Sequence, residues 1–410
     1  MSKDTETADV VVVGGGIVGL AVAWRARQLG MTVTLLERGP IGRGASHVAA
    51  GMLAPVAEVE FGETGRRLLE LGLRSAEIWP EFAAELEAAA GPVGLAKTGT
   101  LVLARDDDEA RELERQIAFR ESLGLGGKRL RPSEAREREP ALAPTLRLAL
   151  EVPHDHSVDP RRVLAALRTA CDSTGVHLRE HAPVARIERD RHGGRVTGVT
   201  VGSKRAPEAL VRAEAVVVAA GAWVEQIGGL PREARLPVRP VKGQVLRLRD
   251  RDGPGLLRRV VRFGGGYLVP RGEGSYVLGA TVEERGFDLH PAVGGVYELL
   301  RDAHELVPGV SELEIEELSV GLRPGTPDNL PAIGPGALEG LTWAAGHYRN
   351  GILLAPLTAE LVAAHLVGGQ PVDPLLASCA PARFVASSRR MAGDSGLQPE
   401  RAPAVSGGLW

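Results

Sequence analysis

Asp9 to Val13 is a run of β-branched residues that meets three consecutive glycines, Gly14-Gly15-Gly16, and an apolar-periodic segment from Val18 to Leu29 follows and stops at Gly30. This pattern reads as strand, tight turn and helix. Met31 to Leu36 adds a second buried-type strand ending in Glu37. A strand, helix and strand so joined form a βαβ unit, whose crossover is right-handed in nearly all cases, so the opening alone demands a parallel sheet covered by helices. Within it, Gly14-x-Gly16-x-x-Gly19 lets the chain turn tightly and brings backbone close to a pyrophosphate, which the helix N-terminus would stabilise. Glu37 lies 18 residues after Gly19 at a strand end, where a carboxylate can accept hydrogen bonds from ribose hydroxyls. Dinucleotide binding follows; the bland alternative is a glycine-rich turn with a surface glutamate.

The chain has 410 residues, beyond the roughly 250–300 at which one hydrophobic core stops growing. Two to three domains are expected. From Thr64 to Ala90 the apolar spacing fits helix, with Pro80 marking a break between two helices. Lys97 to Ala104 reads as a strand, Asp107 to Leu123 as a charged amphipathic helix, and Asp159-Pro160 as the cap and first position of another helix. Val184 to Arg189 and Val196 to Val201 read as a hairpin, and Ala215 to Ala220 as a central parallel strand closed by Gly221. Between Val238 and Ala280, short strands separated by glycines and prolines suggest an antiparallel sheet. Strand Leu341–Ala345, Gly346 and a helix from about Gly351 to Val367 then return to the first pattern. The expected architecture is α/β: a discontinuous Rossmann-type domain from residues 1–90, 151–232 and 322–383, an antiparallel β-sheet substrate domain from 91–150 and 233–321, and a disordered tail at 384–410.

Charge excludes some partners. The basic and acidic residues nearly cancel to a net charge of -3, leaving no global field for nucleic acid or an anionic membrane. Cys171 and Cys379 cannot build a disulfide framework and lack metal-ligand spacing, no run of 18 apolar residues exists, and the first residues are polar and acidic. A cytoplasmic protein without a metal is expected.

An NAD enzyme usually continues with further βαβ units. Here Glu37 is followed by a long glycine-rich stretch, whose run Arg43-Gly44-Ala45-Ser46-His47-Val48-Ala49-Ala50-Gly51-Met52-Leu53-Ala54-Pro55 offers amides and small side chains to a flat, polar-edged ring. Loops of that length without secondary structure are usually functional, although an irregular surface loop is the plain alternative.

GGGIVGL, LLER, GRGASHVAAGMLAP, AVVVAAGAW, GLRPGTPDNLPAIG and AAGHYRNGILLAP, taken in order, resemble the FAD-dependent amine oxidases of the D-amino-acid oxidase family, and within it the branch that acts on glycine in thiamine biosynthesis. The resemblance spans about Asp9 to Val367. It implies non-covalent FAD held by Ile17, Val18, Arg38, Ala45, Ser46, Ala50, Gly51, Met52, Val184, Gly221, Gly346, His347, Tyr348, Arg349, Asn350, Gly351, Ile352 and Leu353, besides the glycines and Glu37 already named. A helix beginning near Gly351 would turn its positive end toward the reduced ring. The family's substrate-carboxylate ligands match Arg323 and Tyr267, and Arg349 would border the substrate; the structural alternatives are an ion pair, a core aromatic and a surface arginine respectively. Met52 would line the pocket and favour a small substrate, or simply pack in the core. His347 reads as a packing residue beside the ring.

On this reading, a small amino acid and dioxygen are the reactants; the products are an imine that hydrolyses to a keto acid, ammonia and hydrogen peroxide. The imine would serve thiazole formation, and relatives imply a homo-oligomer, a tetramer. Rivals are a sarcosine or broad D-amino-acid oxidase, a dehydrogenase passing electrons to a quinone, and a flavin-binding subunit without turnover. Sarcosine oxidases of one type tether the flavin through a cysteine near the strand that here reads Gly321-Leu322-Arg323-Pro324, which contains none.

Overall fold

The computed structural model describes residues 6–384 except 204–206, 252 and 369–373. Two eight-stranded sheets organise it. The first runs β17 (Ala332–Pro335), β18 (Leu341–Ala345), β11 (Pro207–Val218), β1 (Glu6–Val13), β2 (Val33–Leu36), β8 (His177–Arg179), with the hairpin β9 (Val184–Arg189) and β10 (Val196–Gly202) attached to β11. From β18 to β8 every neighbour is parallel. Both faces are buried, as the continuous valine runs require. Val10 and Val12 of β1 pack toward the helices Ile17–Gln28, Pro160–Thr174 and Ala355–Leu366. Their alternates Val11 and Val13 pack toward the β9–β10 hairpin.

The second sheet runs β16 (Glu314–Gly325), β12 (Arg239–Arg249), β15 (Ser275–Gly279), β14 (Gly266–Pro270), β13 (Val260–Phe263), β4 (Thr100–Ala104), β6 (Leu148–Val152), β5 (Lys128–Leu130). It is antiparallel except where β4 joins β13 in parallel. Period-two alternation divides its faces: Leu246, Leu268 and Leu278 meet the helix Val293–Leu306, whereas Val245, Val269 and Val277 turn toward Ala50, Val48 and Met52. A third, two-stranded ladder joins β3 (Met52–Leu53) to β7 (His156–Ser157).

Several expectations need correction. The helix Gly62–Ala90 is continuous through Pro80. A proline inside a helix costs about 3 kcal/mol, but here Trp79, Phe82, Ala83 and Leu86 around it are buried, at about 1.5–3 kcal/mol per large apolar side chain. Burial outweighs the break. The helix expected from about Gly351 begins at Ala355, and Gly351–Leu354 forms a separate turn ahead of it. β16 runs unbroken to Gly325 beside β12, so a boundary at 321/322 cuts a strand and Arg323 sits on the second sheet. Of the 384–410 tail only Phe384 is described, half-buried against the first sheet's core; the rest lies outside the described residues.

Candidate active site

A cavity of about 660 Å³ runs between the two sheets. One wall is backbone. Gly14, Gly16, Ile17, Val18, Glu37, Arg38, Ala45, Ser46, Ala50, Gly51, Val184 and Gly221 all line it, and Gly346, His347, Tyr348, Arg349, Gly351 and Ile352 close its far end. The glycines of the fingerprint do two different jobs. A Cβ on Gly19 would collide with the Gly14 carbonyl, so that glycine serves close packing of helix on strand. A Cβ on Gly16 would meet only the Ser46 hydroxyl, at 3.4 Å, and would otherwise project into the cavity. Nothing inside the protein requires that glycine, whereas a pyrophosphate lying against the helix start does. Glu37 accepts Gly15 N at 2.7 Å and Gly39 N at 3.0 Å, one on each oxygen, which leaves further lone pairs for a ribose. The Ser46 hydroxyl accepts Ile17 N at 3.2 Å, and the Arg38 guanidinium stacks on Trp223 at 3.5 Å. These residues fit FAD.

Three expected cofactor residues stand behind the wall rather than on it. Gly19 belongs to the packing just described. Asn350 turns the chain, its N–H donating to His347 O at 2.8 Å. Leu353 is buried, and its carbonyl accepts Ser75 Oγ at 2.6 Å and Trp79 Nε1 at 2.8 Å. Because the regular helix starts at Ala355, Gly351 and Ile352 of the preceding turn face the cavity in place of a helix end. His347 bonds Thr358 Oγ1 through Nε2 at 2.9 Å, and burial lowers its pKa to about 4, so it is neutral at physiological pH.

The opposite wall is made of side chains on the second sheet. Cross-strand register sets Arg262 opposite Tyr267, Tyr267 opposite Gly279 and Gly279 opposite Val245, all in one row on the face that meets Met52. Arg323, opposite Val241, shares that face by the two-residue period. Two glycines let the long side chains lie flat. A Cβ on Gly279 would sit 2.8 Å from the Tyr267 hydroxyl, and one on Gly243 would sit 2.5 Å from Arg323 Nη1. Arg323 Nη1 donates to Thr281 O at 2.9 Å and Lys242 O at 3.2 Å, and the guanidinium has no carboxylate partner among the described residues. It is therefore not the structural ion pair of the alternative reading. Burial raises the Tyr267 pKa, against the opposing pull of Arg323, so the phenol stays a donor. Met52 reaches the cavity while packing beside Tyr267 and Val48.

Arg349 is not on the surface. It pairs with Glu58 at 3.2 Å, and Arg262 approaches the same Oε1 at 3.4 Å. Burial alone would raise the Glu58 pKa, but Arg349 and then Arg262 more than offset it, leaving the carboxyl below its usual range. Glu58 and Arg262 both line the cavity and neither is foreseen from sequence. Glu58 follows the GMLAP string by three residues, yet nothing in that spacing reveals two arginines that arrive from strand β13 and from the segment beyond β18.

A nucleotide-shaped backbone wall facing a charged sheet wall defines a flavin-dependent oxidoreductase of the two-sheet kind. The sequence profile of the DAO family, described as FAD dependent oxidoreductase, matches residues 9–365. This chain belongs to that family, and FAD is its cofactor. It is 38% identical over 362 residues to a glycine oxidase of Geobacillus kaustophilus, covering 88% of this chain and 93% of that protein. A crystal structure of glycine oxidase from Geobacillus kaustophilus superposes with a TM-score of 0.83 at 36% identity, covering 92% of this chain and 98% of that one. The chain is also 36% identical over 381 residues to a bifunctional protein ThiO/ThiG of Trichormus variabilis, where the match covers 92% of this chain but 55% of that protein. Among the described residues no helix is long and apolar enough to cross a membrane, and no group of acidic, His and Cys residues could hold a metal.

Proposed function

We propose that this enzyme oxidises glycine and other small amines, consuming dioxygen and water and releasing glyoxylate, ammonia and hydrogen peroxide. The observation that carries this reading is Arg323: a guanidinium without a carboxylate partner among the described residues, on a wall it shares with Tyr267 and across the cavity from the nucleotide wall. Such a group is suited to a substrate carboxylate, held by two charge-assisted bonds. Tyr267 adds a phenolic donor to the same carboxylate, Arg349 borders the amine side, and Met52 fills the volume a long side chain would need. Bound FAD supplies the hydride acceptor and, through dioxygen, the peroxide. The protein's part is orientation and exclusion of water, with no side-chain base demanded. The curated relatives named glycine oxidase and ThiO/ThiG support glycine as substrate and its imine as a supply for the thiazole of thiamine.

Non-covalent attachment of FAD belongs to the same proposal. Cys171 and Cys379 are both buried away from the cavity, and burial pushes their thiols up to about 12 and about 11. A cytoplasmic homo-oligomer completes the reading. The test is a panel of glycine, sarcosine, D-alanine, D-proline and D-phenylalanine assayed for peroxide. Glycine and sarcosine should lead; a preference for D-phenylalanine would make the enzyme a general D-amino-acid oxidase, and no peroxide with any of them would refute oxidase function.

A further inference from the structure

Three guanidinium groups line the cavity's second wall, those of Arg262, Arg323 and Arg349, against the one carboxylate of Glu58. A substrate with a single carboxylate on Arg323 leaves the other two cations still to be balanced. Glu58 balances them from within the protein, 3.2 Å from Arg349 Nη2 and 3.4 Å from Arg262 Nε. Beyond Glu58, Arg349 lies 3.8 Å from the exposed Glu60, and Arg262 donates to the uncharged Ala57 O at 3.2 Å.

The chain takes trouble to hold Glu58 there. The turn before it is gripped from two sides by buried charges. Asp155, 1% exposed, accepts the amides of Val56 and Ala57 at 3.3 and 2.5 Å. Arg120, 2% exposed, donates to the carbonyls of the same two residues at 2.9 Å each. Burial raises Asp155 to about 7 and lowers Arg120 to about 10, so both groups are held at a cost. A free surface loop would need neither.

We infer that Glu58 is a specificity-determining residue: its carboxylate occupies the place that a second acidic group of a substrate would take on Arg262 and Arg349, and so restricts the pocket to amines carrying one carboxylate. The inference rests on the amine-oxidase reading above. Removing the charge while keeping the shape should open a second anion site for amino diacids. The pairing involved is a charge-assisted one between guanidinium and carboxylate, which is strong and geometrically selective.

The experiment compares holoenzymes of the wild type, Glu58→Gln and Glu58→Asp. Turnover of iminodiacetate and of glycine is followed by peroxide, and binding of malonate and of acetate by the change in the flavin's visible spectrum. Glu58→Gln should raise the ratio of iminodiacetate to glycine efficiency by about 10- to 100-fold. Malonate should tighten in the same proportion while acetate is unchanged. Glu58→Asp keeps the charge and should keep wild-type selectivity. An unchanged ratio and unchanged malonate affinity in flavin-loaded Glu58→Gln would overturn the inference, as would loss of flavin from that variant, which would make Glu58 a structural strut. If no protein oxidises glycine, the amine-oxidase reading fails, and the contrast of malonate with acetate still decides the role of Glu58.

Discussion

The two walls of the cavity are built on different principles. The nucleotide wall is backbone: glycines, amides and small side chains from segments that each carry their own local pattern. The opposite wall is a set of long charged and aromatic side chains, Glu58, Arg262, Tyr267, Arg323 and Arg349, brought together from four separate places in the chain by sheet register and one clamped turn. A backbone wall is damaged by adding atoms. A side-chain wall is damaged by removing or displacing them.

This contrast can be broken. Gly16→Val adds a branched side chain to the nucleotide wall at a position whose only internal neighbour is Ser46 Oγ at 3.4 Å. The variant should fold, with unchanged circular dichroism, yet purify without yellow colour. Retention of stoichiometric FAD would show that the space beside Gly16 is not used by the cofactor.

On the other wall, Gly243→Ala places a methyl group against the Arg323 guanidinium, which is the far end of a flexible side chain and can move. FAD should stay bound. Displacement from a productive geometry should lower glycine efficiency by about 10²-fold. An active variant with normal KM would mean that Arg323 does not need its bed on Gly243. A smaller effect is expected at Met52, where removing the side chain relaxes size discrimination only. Each excluded methylene is worth about 1–3 kcal/mol, so Met52→Gly should raise the D-phenylalanine to glycine ratio by about tenfold. A constant ratio would place Met52 in packing alone.

The same contrast explains how far the sequence can be read. The β1–turn–helix opening, Glu37 and strands β2, β4, β9 to β15 and β18 follow from local period and turn chemistry, whereas β5, β6, β8 and β17 are not among the strands expected from the sequence. Pro80 misleads because its local cost is opposed by tertiary burial of Trp79 and Phe82, which a window of neighbouring residues does not contain. The Gly351–Leu354 turn is mistaken for helix since its apolar residues continue the spacing of the real one. Arg323 and Tyr267 are suggested by a family resemblance; their location on one face requires strand register. Glu58, Asp155 and Arg120 escape altogether, because their meaning is their pairing, and partners that are 60 or more residues apart leave no periodic trace.

We propose that Arg323 directs an amino acid's carboxylate so that its α-carbon meets the flavin. The direct measurement is anaerobic mixing of the yellow enzyme, wild type and Arg323→Ala, with glycine. Two charge-assisted bonds at about 1.5–3 kcal/mol each set the expected loss at about 10²–10⁴ in rate at subsaturating glycine. Wild type should bleach with glycine and regain colour in air, while Arg323→Ala should keep its FAD, bleach with dithionite and stay yellow with glycine over the same time. Equal bleaching of the two proteins by glycine would contradict it.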